Sequence, residues 1–543
     1  MFMKNFSKKT LIVFSIIIAI FIIGIVPKEF QNDTFFNISI GKYILENGID
    51  MQEHWAFTEG LTYTFSHWAF DILTYLIYNV FNFTGIYNFT IILSILTYIT
   101  LFYCLYKRSN KPLISLVLVL LFSYYLRNSL TARSQIISFI CFIIEIYCIE
   151  QFIDTNKKRY AIILLILSIL IANFHAATWP LFLILFMPYL GAAFFNFFSP
   201  KNLFKKFIKR DEEKLKNLPK DSKKYNYYKQ DLEIYTRLQK KEENKKSLKI
   251  VIKEIYNTQN LVILLIIIAF SGLLTPIHGT PYTYIIKSMI GYSNFEDVKS
   301  MAYIAEMQPI VPIAHESMIF FALIFLAFLI FFPTKIKLEH LFLFLGLLYM
   351  TLSSVRYLYL LVPLGCYILC DLISQTSDIY LEKEMPILEK ILVHPISIII
   401  CTIITCIFTA HNLKSTEDIK LVNEELYPTN AVNYIKENLD YKNIRIYNSY
   451  DFGSYLMLND IPVFIDSRLD VYCSEFNNTD IFYDFINVCN GNVHYDEIFE
   501  KYNFTHILLY DDEIINIYIK KDSNYNLIYE DDNFSLYERK SHS

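Results

Sequence analysis

Glycine is scarce in this chain, 13 of 543 residues, and charge is thin, with 49 Lys and Arg against 53 Asp and Glu. Charged residues make up 19% of the sequence, below the ~25% of soluble proteins. The shortage is uneven. Residues 201 to 250 hold 25 charges, 17 of them basic; residues 412 to 543 hold 35, of which 24 are acidic; the other 361 residues carry only 42. A globule wetted on all sides needs more polar surface than that, so a large part of the chain has a non-aqueous solvent. So little glycine excludes collagen, and a hydrophobic share of 54% excludes disorder. No Cys-x-x-Cys, His-Glu-x-x-His or Gly-rich phosphate loop occurs, which removes the zinc and nucleotide classes that such motifs announce. Of nine cysteines, seven (Cys104, Cys141, Cys148, Cys366, Cys370, Cys401 and Cys406) fall in apolar runs and read as packing residues. Cys473 and Cys489 lie outside them, at a spacing that permits a disulfide.

What the chain has instead is long apolar runs. A bilayer core of ~30 Å takes ~20 helical residues. On that measure eleven runs qualify: 10 to 26, 86 to 106, 112 to 126, 129 to 152, 159 to 174, 177 to 197, 259 to 277, 315 to 333, 337 to 354, 357 to 375 and 394 to 411. The first follows Lys4, Lys8 and Lys9 with no small-residue cleavage site after it, and reads as an uncleaved span with a cytoplasmic N-terminus. The stretch 67 to 83 reads as an interfacial helix on the outer side. As a twelfth span it would move Lys107, Arg108 and Lys111 outside, against the positive-inside rule. The expected fold is therefore an α-helical polytopic membrane protein with about eleven transmembrane helices over 1 to 411, followed by a small external α/β domain over 412 to 543. The loop at 27 to 85 is external and the basic loop at 198 to 258 cytoplasmic. That basic loop reads as a solvated helix pair able to rest on anionic lipid, not as a nucleic-acid site.

Polar groups that persist in such a chain mark function, and here they gather on the expected outer side. They are Asp33, then Asp50, Glu53 and His54, then His67 and Asp71, then Arg133, Asn173 with His175, Glu306 and Arg356. Asp33 stands a few residues beyond the first span, ahead of Phe35-Phe36, and is the strongest candidate. A carboxylate at headgroup level can act as general base toward an acceptor hydroxyl, or hold a divalent cation beside a phosphate. Arg356 or His175 would neutralise a phosphate leaving group. The chemistry indicated is transfer of a group from a lipid-phosphate carrier in the plasma membrane.

The layout resembles the GT-C superfamily of polytopic glycosyltransferases. The residues that carry the likeness are Asp33-Thr34-Phe35-Phe36-Asn37-Ile38, Gly41, Ile44-Leu45-Glu46-Asn47-Gly48, Trp55-Ala56-Phe57-Thr58 and Ser66-His67-Trp68-Ala69-Phe70-Asp71. Ala132-Arg133-Ser134-Gln135, Ala172-Asn173-Phe174-His175, Thr275-Pro276, Glu306-Met307-Gln308-Pro309 and Ser354-Val355-Arg356 extend it through the membrane part. Two departures stand out: Phe36-Asn37 replaces an aromatic-His pair, and His67 takes a Glu position. The resemblance implies transfer of a sugar from a polyprenyl-phosphate donor to an acceptor of the cell envelope on the extracytoplasmic face. Asp33 would be the catalytic aspartate, and Asp50, Glu53 and Asp71 compete as the second acidic site.

The C-terminal part resembles a bacterial branch of that superfamily through Asp451-Phe452-Gly453-Ser454-Tyr455-Leu456 and Val463-Phe464-Ile465-Asp466-Ser467-Arg468-Leu469-Asp470. Short β-runs are expected at 445 to 448, 462 to 466, 506 to 510, 515 to 519, 527 to 530 and 534 to 537, with helices near 429 to 439 and 494 to 502. Asp466, Arg468 and Asp470 follow a strand, where α/β domains place ligands; an internal ion pair is the equal alternative. A transporter or flippase of lipid-linked glycans and a non-catalytic envelope-assembly protein are the rival functions.

Overall fold

A computed structural model describes residues 8–198, 200–220, 222–243, 248–293, 303–311 and 316–540. Lys4 and parts of the basic loop and of the 278 to 314 loop lie outside the described residues. The chain opens with α1 (Lys8–Ile25), α2 (Asn32–Asn47), α3 (Trp68–Ser109), α4 (Pro112–Tyr125), α5 (Gln135–Thr155) and α6 (Lys158–Phe174). The eleven apolar runs lie mostly on helices, though 177 to 197 is divided between Trp179–Ile184 and Met187–Phe198 and 259 to 277 outlasts its helix at Ser271. Among the described residues six helical stretches are long and apolar enough to cross a bilayer: α1, α3, α5, Ala176–Phe195, Val355–Tyr380 and Pro395–Ser415. Others are shorter. The 14 residues of α4 measure ~21 Å at 1.5 Å per residue, less than the ~30 Å core, so helix length does not by itself give eleven crossings.

The 67 to 83 stretch is joined to the second span. Helix α3 runs for 42 residues and breaks at Asn82, whose φ of 53° and ψ of −158° are not helical. A continuous helix of that length would measure ~63 Å, twice a bilayer; the break separates a first segment packed on α2 from a second that enters the bundle. Gly41 of α2 makes this packing close, since a Cβ there would stand 2.1 Å from the Asp71 carbonyl oxygen.

The basic segments share one end of the bundle. Arg108 bonds Glu150 and lies 3.4 Å from Asp371, Lys111 pairs with Asp378 at 2.6 Å, and Asn156 accepts from Asn260 at 3.2 Å. Lys223 of the basic loop reaches Glu382 at 3.5 Å, and Lys335 pairs with Asp231. Asp33, His67, Arg133, His175 and Arg356 come together elsewhere, around one cavity described below.

The C-terminal part is built on a four-stranded mixed sheet in the order β1-β2-β4-β3, with β1 (Ile446–Tyr447), β2 (His506–Tyr510), β3 (Tyr525–Glu530) and β4 (Phe534–Arg539). Strand β1 is parallel to β2, and the other pairs are antiparallel. Helices Thr429–Asn438 and Tyr495–Lys501 stand where the pattern placed them. Two expected strands do not form. Ile514–Ile519 is a helix burying Ile515, Asn516 and Ile519 while Ile514, Ile517 and Tyr518 are exposed; its β-branched residues hid an i, i+4 face. Residues 462 to 466 join no sheet strand. Val463 instead bridges in parallel to Ala56 of the 27 to 85 loop, with hydrogen bonds from Val463 N to Trp55 O at 3.0 Å and from Phe57 N to Val463 O at 3.1 Å.

That bridge shows how the two polar parts of the chain are assembled. One hydrophobic core contains Phe30, Phe35, Phe36, Tyr63 and Phe65 from the loop region together with Tyr427, Tyr447, Phe464, Tyr472 and Leu508 from the C-terminal part, separate from the core of the helical bundle. Gly453 permits the closest approach within it, because a Cβ there would meet the Ile465 carbonyl oxygen at 2.0 Å. The cysteines are free: Cys473 is buried and Cys489 exposed, and the disulfide that their spacing permits does not form. Cys473 follows the short helix Leu469–Tyr472, whereas Cys489 ends helix Ile481–Cys489 against the Tyr447 hydroxyl.

Candidate functional site

The start of α2 is the structural origin of the site. Gln31 caps the helix in extended conformation, so that Asn32 and Asp33 occupy its first turn, where the positive end of the helix dipole favours an anion. Asn32 Nδ2 donates to the Tyr450 carbonyl at 2.8 Å, tying this turn to the C-terminal part. Asp33 pairs with Arg133 at 2.7 Å; Arg133 also reaches Glu306 at 3.4 Å, and Arg356 approaches the same Glu306 at 3.8 Å. The four side chains form an alternating chain of charge. Burial disfavours a charged guanidinium at Arg133, but the Asp33 and Glu306 carboxylates outweigh it and raise its pKa. For Glu306, burial is outweighed by Arg356 and Arg133, which hold the carboxyl below its usual range.

Two histidines complete this wall. His67 and His175 have ring centroids 5.4 Å apart. Burial, reinforced by Arg133 and Arg356, pulls His67 down to about 3. Burial, with His67 and the two arginines, drives His175 well below its ordinary value. Both imidazoles are therefore neutral at physiological pH. His175 Nδ1 meets Ser138 Oγ at 2.8 Å, whereas His67 Nδ1 is buried and has no hydrogen-bond partner among the described residues, which is costly for a polar atom.

These groups line a cavity of about 270 Å³ together with Tyr63, Tyr284, Tyr450, Asp451 and the run Ser467 to Asp470. At ~30 Å³ per water it has the bulk of roughly nine waters. Two arginines, two neutral imidazoles and a helix N-terminus on one wall suit an anion such as phosphate. The tyrosine rings and the remaining carboxylates of the lining suit a hydroxylated, partly apolar group.

No protein-family model matches the chain, and no curated protein matches it either. Solved structures do. The archaeal oligosaccharyltransferase AglB from Archaeoglobus fulgidus, in complex with an inhibitory peptide and a dolichol-phosphate, aligns at a TM-score of 0.58 and 11% identity over 95% of this chain and 71% of that one. An Archaeoglobus fulgidus oligosaccharyltransferase in the apo form aligns at 0.56 and 11% over 93% and 70%. This chain shares the fold of these oligosaccharyltransferases. At 11% identity the likeness is one of fold, and the chemistry rests on the side chains of this chain.

The fold brings together Asp33, His67, Arg133, His175, Glu306, Arg356, Arg468 and Asp470 at the cavity, and sets the other candidates apart. Glu53 is committed elsewhere: with Asp466 it encloses Arg468, whose Nη1 reaches Glu53 at 2.7 Å and whose Nη2 reaches Asp466 at 2.5 Å. The Arg468 guanidinium also lies over Trp55 and Tyr63 at 4.9 and 5.1 Å. Asp466 and Arg468 are thus an internal ion pair, extended by Glu53 into a clamp between the loop and the C-terminal part. His54 sits apart, with Asp50 and the Tyr43 hydroxyl each at 2.7 Å. Asp71 is buried where α3 meets α2, both carboxylate oxygens without a hydrogen-bond partner. Asn173 donates to the Ile169 and Leu274 carbonyls. Tyr63, Tyr284 and Tyr450 had no signal in sequence, being three of 42 tyrosines.

The donor set does not form a metal site as it stands. Among the described residues no three His, Cys, Asp or Glu side chains converge as a metal would require, and Asp33 faces a guanidinium at 2.7 Å. No step below runs through a metal.

Proposed function

We propose that the protein is a membrane glycosyltransferase that moves a sugar from a polyprenyl-phosphate-linked donor to an acceptor at the extracytoplasmic face of the cell membrane. The observation that carries this reading is a single cavity lined by Arg133, Arg356, His67 and His175 together with hydroxyl and carboxylate groups. The donor phosphate would lie against the two arginines, with His67 Nδ1 and His175 within the same wall as hydrogen-bonding groups. Asp33 fixes Arg133 and shapes the charge of the site. The AglB structure was solved with a dolichol-phosphate and a peptide, which supports a lipid-linked donor and a protein acceptor here. Basic segments gathered at one end of the bundle support an extracytoplasmic site by the positive-inside rule.

The test uses purified protein in lipid with radiolabelled polyprenyl-phosphate sugars, wild type against Asp33→Asn. Wild-type consumption of donor, lost in the variant, is the expected result; consumption undiminished in Asp33→Asn ends its assigned role. A Cys label near Asn110 should react only from the cytoplasmic side.

One observation favours the transporter reading. Glu145 lies midway along the 21-residue α5, fully buried, with neither carboxylate oxygen hydrogen-bonded among the described residues, and intramembrane carboxylates mark proton and substrate pathways. Glu145→Gln separates the two: it would abolish movement of a lipid-linked glycan across the bilayer if the protein were a transporter, and would leave donor consumption intact if it is a transferase.

A further inference from the structure

The carboxylates around the cavity are not equivalent. Asp33 is held by Arg133, and Glu306 by Arg133 and Arg356. Asp451 and Asp470 also line it, and among the described residues neither pairs with a cationic side chain. Asp451 borders a second, wider cavity of about 840 Å³ as well, one lined by Glu29, Asp511 and Asp532, and so stands at the junction of the two. Asp470 borders only the inner one. Its Oδ2 accepts a hydrogen bond from Thr64 Oγ1 at 2.8 Å, which fixes the carboxylate. Tyr63, another residue of the lining, is 2% exposed, and its buried hydroxyl has no hydrogen-bond partner among the described residues. An orphaned, buried hydroxyl beside an oriented and unpaired carboxylate is the arrangement a hydroxyl-bearing ligand would complete.

We propose that Asp470 is the general base that takes the proton of the acceptor, that the acceptor nucleophile is a hydroxyl group, and that Tyr63 hydrogen-bonds it in place. The assignment rests on the glycosyl-transfer reading above. In the step, the acceptor oxygen bonds to the anomeric carbon of the donor. The bond from that carbon to the phosphate oxygen breaks, and its electron pair leaves on the phosphate, which faces Arg133 and Arg356. The acceptor proton passes to the Asp470 carboxylate and from there to solvent. Because the step is a single direct displacement at the anomeric carbon, the transferred sugar inverts its anomeric configuration. Asp33, already engaged by a guanidinium, is the weaker candidate for this role.

The surroundings of Asp470 suit the task. Burial pushes its carboxyl up to about 6, against the opposing Thr64 hydrogen bond and Arg468, with Asp466 adding to the rise. Tyr63 from the loop, Tyr284 from helix Thr280–Ser293 and Cys473 are the other titratable groups facing it. A base in this range is ionised at neutral pH and strong enough to accept a proton as the new bond forms. Activity should therefore rise with pH through about 6.

The experiment compares full-length wild type, Asp470→Asn and Asp451→Asn in lipid, using a polyprenyl-phosphate sugar as donor and either water or azide as nucleophile. Azide carries no proton and needs no base. Asp470→Asn should lose roughly 10²- to 10⁴-fold in the reaction with water, lose the rise with pH, and keep azide transfer and donor binding near wild type. Equal losses with water and azide would overturn the proposal, as would a wild-type pH profile in Asp470→Asn or the water-specific loss appearing in Asp451→Asn. Thr64→Val is the second variant: it leaves the carboxylate in place but unanchored, and should slow the water reaction while sparing azide. Wild type that consumes no donor with either nucleophile would refute the glycosyl-transfer reading itself; an active wild type with an unaffected Asp470→Asn would refute only the base.

Discussion

Arg356→Gln separates binding chemistry from folding more cleanly than any other substitution at the site. The Arg356 guanidinium lies 3.8 Å from Glu306 with a side chain 33% exposed. An ion pair that open contributes ~0–1 kcal/mol, and Glu306 keeps Arg133 at 3.4 Å when Arg356 is gone. The folded state should therefore lose under ~1 kcal/mol. The donor phosphate, by contrast, loses a charge-assisted hydrogen bond worth ~1.5–3 kcal/mol. At ~1.36 kcal/mol per decade this is roughly a 10- to 150-fold loss in donor affinity and in kcat/KM. The assay is equilibrium binding of a radiolabelled polyprenyl-phosphate sugar to protein in lipid, beside a thermal unfolding curve. Arg356→Lys keeps the charge without the planar fork and should recover part of the loss. Donor affinity within threefold of wild type, in a variant that unfolds normally, would refute the placement of the phosphate.

Two further outcomes follow from the geometry. Arg468→Met removes the cation between Glu53 and Asp466, three side chains each 1% exposed or less, and stranding buried charges costs ~3–5 kcal/mol; a thermal midpoint unchanged by the substitution would contradict the clamp. The histidine pair makes stability acid-sensitive. Since the folded His67 pKa, about 3, lies below the ordinary 6.5, the unfolded chain binds more protons between those values. Stability is then fully present above pH 6.5 and falls as pH drops toward 3, by up to ~1.36 kcal/mol per unit for each such histidine. His175 adds to the same trend. His67→Gln should flatten this acid limb in unfolding measured against pH, and an unchanged limb would show that His67 is not buried neutral.

The membrane part was legible because its signal is compositional: apolar runs between charged segments need no long-range information. Asp33 was legible for a related reason, as a lone carboxylate just past a span. The C-terminal sheet was read in outline, but Ile514–Ile519 and residues 462 to 466 were assigned to strands because β-branched content outweighs burial period in so short a run. The roles of Glu53, Asp466 and Arg468 could not be read locally. Glu53 and Arg468 meet across 415 positions of sequence, and which carboxylate takes the guanidinium decides which one, Asp470, is left for the cavity. Tyr63 and Tyr284 reach the site only because the loop and the C-terminal part share one core.

The central claim is that the bond broken joins the sugar to the phosphate oxygen. A polyprenyl-phosphate sugar carrying heavy oxygen between the anomeric carbon and phosphorus tests it directly, with mass analysis of both products after turnover by protein in lipid. Glycosyl transfer predicts that all the label leaves with the polyprenyl phosphate. Label retained on the sugar, or donor returned intact, would contradict it.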